Sequence, residues 1–109
     1  MTEVSFFVRR GKILGFLANN HAGEGDETGE IVCHGVSALT LTCALSMEDL
    51  LSIDEDTMSF EQSEAYVSIR LPEDVVSDET ELLFRSMKVG LKAIEGAYEN
   101  YIKIETQEV

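Results

Sequence analysis

Tryptophan is absent from this 109-residue chain, proline occurs once and cysteine twice. Two cysteines cannot build the dense disulfide framework of small secreted domains. If Cys33 and Cys43 lie on one helix, about 15 Å of axis separates them at ~1.5 Å per residue, beyond disulfide reach. Basic residues are also scarce: 8 Lys and Arg stand against 21 Asp and Glu, a formal charge of −13. That deficit argues against direct nucleic-acid binding, because the phosphate backbone is held by Lys and Arg. An acidic surface suits a basic partner or simply solubility. No run reads as long and apolar enough to cross a membrane, and Met1–Ser5 lacks the basic region and apolar run of a signal peptide. These absences predict a cytoplasmic protein. Its length fits a single domain, 1–109, with one modest core.

The apolar pattern supplies the elements. Val4, Phe6 and Val8 share one face of a strand over residues 3–8, with Phe7 breaking the alternation. Arg9-Arg10-Gly11-Lys12 signals a turn into a second strand over residues 13–18. Residues 31–48 read as a long, mostly buried helix. Residues 57–60 and 65–71 read as strands, the second alternating cleanly before Pro72. Asp78-Glu79-Thr80-Glu81 resembles a capping box that opens a helix over residues 79–98. Within that helix, Gly90 and Gly96 cost about 1 kcal/mol each relative to Ala, or permit close packing against the sheet. A strand over residues 101–105 ends the chain. The order β-β-α-β-β-α-β predicts an α+β fold: a two-layer sandwich with a mainly antiparallel sheet and both helices on one face.

The chemistry concentrates between the second strand and the first helix. His21 stands just past the strand, a loop with Gly23, Gly25 and Gly29 follows, and Cys33 then falls in the first turn of the predicted helix. A helix N-terminus favours a thiolate, and a nearby imidazole can take the thiol proton. On this reading Cys33 is a nucleophile and His21 its base, while a small buried core residue is the plainer role for Cys33. Asp26, Glu27 and Glu30 are the acids available to orient His21. Ser37 lies one turn beyond Cys33 on the same face. His34 points about 100° away from Cys33 on a helix and suits a surface or partner contact better than a base. The loop lacks the Lys and Ser/Thr of a phosphate-binding loop and instead suits a flap over a peptide. His21, Cys33 and His34 lack the paired spacing of a metal site, so neither metal nor cofactor is expected.

The segment from Asn20 to Ser37, with its histidine, glycine loop and Ile31-Val32-Cys33 followed by Ser37, resembles the ribosomal-processing cysteine proteases, the Prp family. Val89-Gly90-Leu91-Lys92-Ala93-Ile94 with Tyr98 and Tyr101 is similar to that family's second helix and last strand. The resemblance implies a catalytic pair of Cys33 and His21, with Asn20, Ala22, Gly23, Gly25, Gly29 and Ser37 at the substrate or in the flap. It also implies a homodimer with the sandwich fold that trims the N-terminal extension of a large-subunit ribosomal protein, a basic substrate. The chain departs from the family pattern at Asn20, where Gly is usual, at Glu30, where Asp is usual, and at His34, where a small residue is usual. Those departures leave a second reading open: a non-catalytic acidic module that binds a basic ribosomal or assembly protein.

Overall fold

In the computed structural model, which describes residues 1–19, 26–64 and 66–109, the first apolar alternation becomes a hairpin of β1 (Thr2–Arg9) and β2 (Lys12–Asn19). Arg10 and Gly11 join the strands at φ of 53° and 77°. Two consecutive positive φ values make the mirror-image turn whose twist matches the flanking strands. Then follow α1 (Glu27–Leu51), β3 (Glu61–Gln62), β4 (Tyr66–Arg70), a 3₁₀ turn (Glu73–Val75), α2 (Asp78–Ala97) and β5 (Ile102–Glu108).

The sheet runs β3-β4-β2-β1-β5. Its pairs are antiparallel except for β1 with β5, which run parallel because α2 carries the chain from the end of β4 back over the sheet before β5 begins. The register aligns Val4, Ala18 and Val67 in one row and Phe6, Phe16 and Ile69 in the next, all buried under the helices. Phe16 meets Phe84 of α2 edge to face, with ring centroids 6.3 Å apart. Burying a side chain such as Phe84 contributes about 1.5–3 kcal/mol. Phe7, which broke the alternation, lies on the opposite face, where the Arg70 guanidinium sits 5.2 Å from its ring centroid. This is the expected α+β sandwich, with one parallel pair in an otherwise antiparallel sheet.

Several local expectations are corrected. Residues 57–60 form a turn rather than a strand. The Asp54 side chain accepts from the Thr57 N–H at 2.7 Å, the Met58 and Phe60 N–H groups reach back to Asp54 and Glu55, and Ser59 takes a positive φ. An Asx-type turn therefore outcompetes strand pairing there. The cap of α2 sits one residue before the predicted box: the Ser77 hydroxyl accepts from Thr80 N–H while Ser77 N–H donates to Thr80 Oγ1. Glu81 is thereby freed to accept from the Ile13 N–H at 3.0 Å. Gly90 packs against α1 rather than the sheet, since a Cβ there would lie 2.8 Å from Leu39 Cδ1.

The largest correction concerns α1. It is longer than predicted, and by length and composition alone it could cross a membrane. Apolar residues cover more than one of its faces. Val32, Val36, Cys43, Ala44 and Met47 are buried against the sheet and α2, while Ile31, Leu45 and Leu50 face outward.

Candidate active site

Thr2, Asp26, Cys33 and Tyr101 meet at the end of the sheet where β1 begins. Asp26 caps α1 by accepting from the Thr28 N–H at 3.0 Å. The first backbone bond of the helix runs from Glu30 N–H to the Asp26 carbonyl. Because the helix starts at Glu27, Cys33 occupies its second turn and not the first. Its own N–H is spent within the helix, and the N-terminal field acts from a turn further away than expected. Cys33 is half-buried, and its Sγ lies 3.9 Å from the hydroxyl of Thr2, which is fully buried.

The second carboxylate oxygen of Asp26 accepts from the Tyr101 hydroxyl at 2.9 Å, and the Tyr101 carbonyl accepts from the Thr2 N–H at 2.9 Å. The beginning of α1, the beginning of β1 and the approach to β5 are thus tied together around the thiol. Asp26 beside it raises the pKa of the Tyr101 phenol, through the hydrogen bond first and the carboxylate charge second. Asp26, offered by the sequence as an orienting acid, therefore serves the helix cap and the tyrosine. Glu30 is exposed within the first turn and takes no part in the cap, which Asp26 supplies.

Gly29 belongs to α1 and is buried, not part of a loop. Asn20, His21, Ala22, Gly23 and Gly25 lie outside the described residues. What is described is where the chain leaves for them. β2 ends at Asn19, which pairs with Glu3 next to Thr2. Ser37 is half-buried one turn beyond Cys33, and His34 is exposed on the outer side of α1. Sequence reasoning missed Thr2 and gave Tyr101 no role beyond opening a strand. Neither has a local signal, because each acts on a residue far along the chain.

The family model for the cysteine protease Prp matches residues 1–103. The chain belongs to the Prp family of cysteine proteases. A ribosomal processing cysteine protease Prp of Staphylococcus aureus is 29% identical over 94 residues, spanning 86% of this chain and 87% of that one. Crystal structures of Prp from S. aureus share the fold. The complex with a substrate peptide gives a TM-score of 0.85 at 24% identity, covering 98% of this chain and 100% of that one. The complex with a covalently linked product peptide gives 0.83 at 25%, with the same coverage.

Within this Prp-family fold the two thiols differ in kind. Cys43 is buried, its Sγ is 3.8 Å from the Leu83 carbonyl, and burial pushes its pKa up to about 12. A thiol so held is an inert core residue. Cys33 is the accessible one, at the end of the sheet from which β2 runs toward His21.

Proposed function

We propose that this protein is the processing endopeptidase that removes the N-terminal extension of a large-subunit ribosomal protein during ribosome maturation. The observation that carries the proposal is the position of Cys33: half-buried beside Thr2, at the end of the sheet where β2 leaves for His21, in a chain of the Prp family. Cys33 attacks the scissile carbonyl as the thiolate, and His21 accepts its proton and returns it to the leaving amine. The resulting thioester is hydrolysed by water that His21 activates.

Gly29 N–H is the best donor for the oxyanion. It precedes the first N–H of α1 bonded to a backbone carbonyl, that of Glu30, and it lies one turn N-terminal to Cys33. Helical side chains lean toward the N-terminus, so Sγ reaches toward that turn. Asp26 and Tyr101 hold the turn in place from outside. The substrate is a basic peptide that meets a −13 surface, and no step of this reaction calls for a metal, a cofactor or nucleic acid.

The protein acts in the cytoplasm, as expected for an enzyme of ribosome maturation with no disulfide among the described residues. On this reading α1 serves as a core helix and not as a membrane span. It acts as a homodimer. Ile31, His34 and Leu45 share the outward stripe of α1, with Ile31 at 55% and Leu45 at 56% exposure, an apolar strip that a second copy would cover. His34 is then a partner contact, as its outward position suggests. Analytical ultracentrifugation tests this, with Leu45→Glu expected to yield monomer.

The decisive experiment incubates the protein with an N-terminally extended ribosomal protein and reads the intact mass of the products. A single cut in the extension, absent with Cys33→Ala, supports the proposal. No cut under conditions where the two proteins bind would instead establish the acidic binding module.

A further inference from the structure

The charges of this chain are segregated as well as unbalanced. No Lys or Arg occurs from Ile13 to Ile69, and six of the 8 cations, Arg9, Arg10, Lys12, Arg85, Lys88 and Lys92, belong to the β1–β2 turn and to α2. The turn lies at the opposite end of β1 from Thr2 and Cys33, roughly 24 Å away at ~3.4 Å per strand residue. A cleft of about 600 Å³ opens there between α2 and the sheet. Its origin is geometric. Five strands at about 4.8 Å spacing are wider than two helices of about 10 Å can cover, so the sheet is left open beside α2 at its β5 edge.

The lining of this cleft has two characters. Phe6, Val8, Ile13 and Val89 supply an apolar floor and wall, and Arg85, Lys88 and Lys92 supply three cations. Lys88 Nζ stands 5.4 Å from the Phe6 ring centroid, and Lys92 is paired with Glu95 at 3.2 Å. Among the described residues the one carboxylate in the lining, Glu81, is turned to the Ile13 N–H. Three cations converge on one cleft in a chain of net −13, and a floor of apolar side chains lies beneath them.

We infer that this cleft is a binding site for a small phosphate ester of nucleotide size, such as a nucleoside diphosphate, whose phosphates meet Arg85, Lys88 and Lys92 and whose body rests on Val8 and Val89, above the buried Phe6 ring. Two phosphate charges match Arg85 and Lys88, with Lys92 able to exchange its Glu95 partner for a phosphate oxygen, and the volume lies in the range of small-molecule sites. Inorganic phosphate would leave the apolar floor uncovered. A nucleic-acid strand would extend past the cleft over Asp78, which lines the neighbouring surface with Arg85, and over Glu95 beside Lys92, and it would be repelled there. The inference does not depend on the proposed protease chemistry, because the cleft and Cys33 lie at opposite ends of β1.

Isothermal titration of the full chain with adenosine diphosphate, pyrophosphate, adenosine and a single-stranded RNA decamer tests it. The expected result is a diphosphate Kd below about 1 mM, with pyrophosphate and adenosine each at least about tenfold weaker. Arg85→Gln/Lys92→Gln changes two exposed side chains and should weaken the diphosphate by about tenfold or more, whereas Lys103→Gln, outside the cleft, should not. Val89→Asp, which sets a carboxylate in the wall, should abolish binding, and peptide cleavage should be unchanged in all three variants. No heat with the diphosphate overturns the site, and so does equal weakening by Lys103→Gln. Tighter binding of the RNA decamer than of the diphosphate overturns it in favour of a strand-binding surface.

Discussion

Cys33 and Cys43 stand ten residues apart on one helix, and their surroundings share little. Ten residues at about 100° each leave the two side chains roughly 80° apart around the axis. That rotation, with the distance along the axis, carries Cys43 into the layer between α1 and α2, where Leu83 closes over it. Cys33 comes instead to the rim of the sheet, where Thr2 touches it and β2 ends nearby. The same small side chain is a packing element in one place and a candidate nucleophile in the other. Access decides between them, not residue type. The difference also shows what each end of α1 is for: the N-terminal turns are tied down by polar bonds to Asp26 and Tyr101, and the middle is held by apolar contact.

The sharpest way to break the comparison is to remove each thiol in turn. Cys33→Ala should fold normally and lower cleavage of the extended substrate by about 10³-fold or more, since no other group supplies the nucleophile. Cys43→Ala should keep its turnover and lose about 1 kcal/mol of stability in denaturant melts through lost packing. Equal activity in both variants would end the assignment of Cys33. The same series separates the imidazoles. His21→Ala should lower kcat by about 10²-fold or more, and His34→Ala should leave it within about twofold.

Alkylation at neutral pH gives a chemical version of the test. Iodoacetamide should modify Cys33 within minutes and leave Cys43 untouched until the protein unfolds, as read by peptide mass. Cys43 also sets a pH dependence. Its thiol has an ordinary pKa of 9.0 and is held protonated to about 12 in the folded chain. Between these values the unfolded state binds fewer protons, so stability falls as pH rises through the window, by on the order of 1 kcal/mol per pH unit. Chemical denaturation from pH 8 to 11 should show a shallower decline in Cys43→Ala than in the wild type.

A smaller effect tests the polar clamp. Tyr101→Phe removes one hydrogen bond, and Asp26→Ala removes that bond and the helix cap, so the losses should be about 0.5–1 kcal/mol and about 1–2 kcal/mol. Asp26→Asn, which keeps a capping oxygen, should recover most of the second loss. If the clamp positions Cys33, Tyr101→Phe should also lower kcat while leaving KM unchanged. The smallest effect concerns encounter: kcat/KM should decline several-fold as salt shortens the Debye length from about 30 Å at 0.01 M to about 10 Å at 0.1 M, with kcat unaltered.

The periodic parts of this protein were legible because burial imposes a period. Val67 and Ile69 alternate with Tyr66 and Ser68, and Leu83, Met87, Leu91 and Ile94 recur at helical spacing, so β4 and α2 could be read directly, although the largest fully buried side chain of α2, Phe84, stood beside that series. The helix ends and the short strand were less legible, since single polar bonds decide them. Asp26 extends α1 upstream of its apolar run, Ser77 moves the cap of α2, and Asp54 turns residues 57–60 away from the sheet. Cys33 and His21 stood out as chemical types, while their partners did not. Thr2 precedes Cys33 by 31 positions and Tyr101 follows Asp26 by 75, and no local pattern joins residues so distant.

By itself, then, the amino-acid sequence determined the order of elements, the faces that must be buried, the acidic surface and the presence of a thiol and an imidazole on either side of a glycine-rich segment. These are local or compositional properties, set by side-chain periodicity and charge. Only the tertiary structure decided which thiol is accessible, that β5 lies parallel to β1, and that Asp26 is claimed by a cap and by Tyr101. It also decided that three scattered cations converge over an apolar floor. Each of these depends on contacts between distant segments, whose free energy comes from the shared core and not from any stretch read alone.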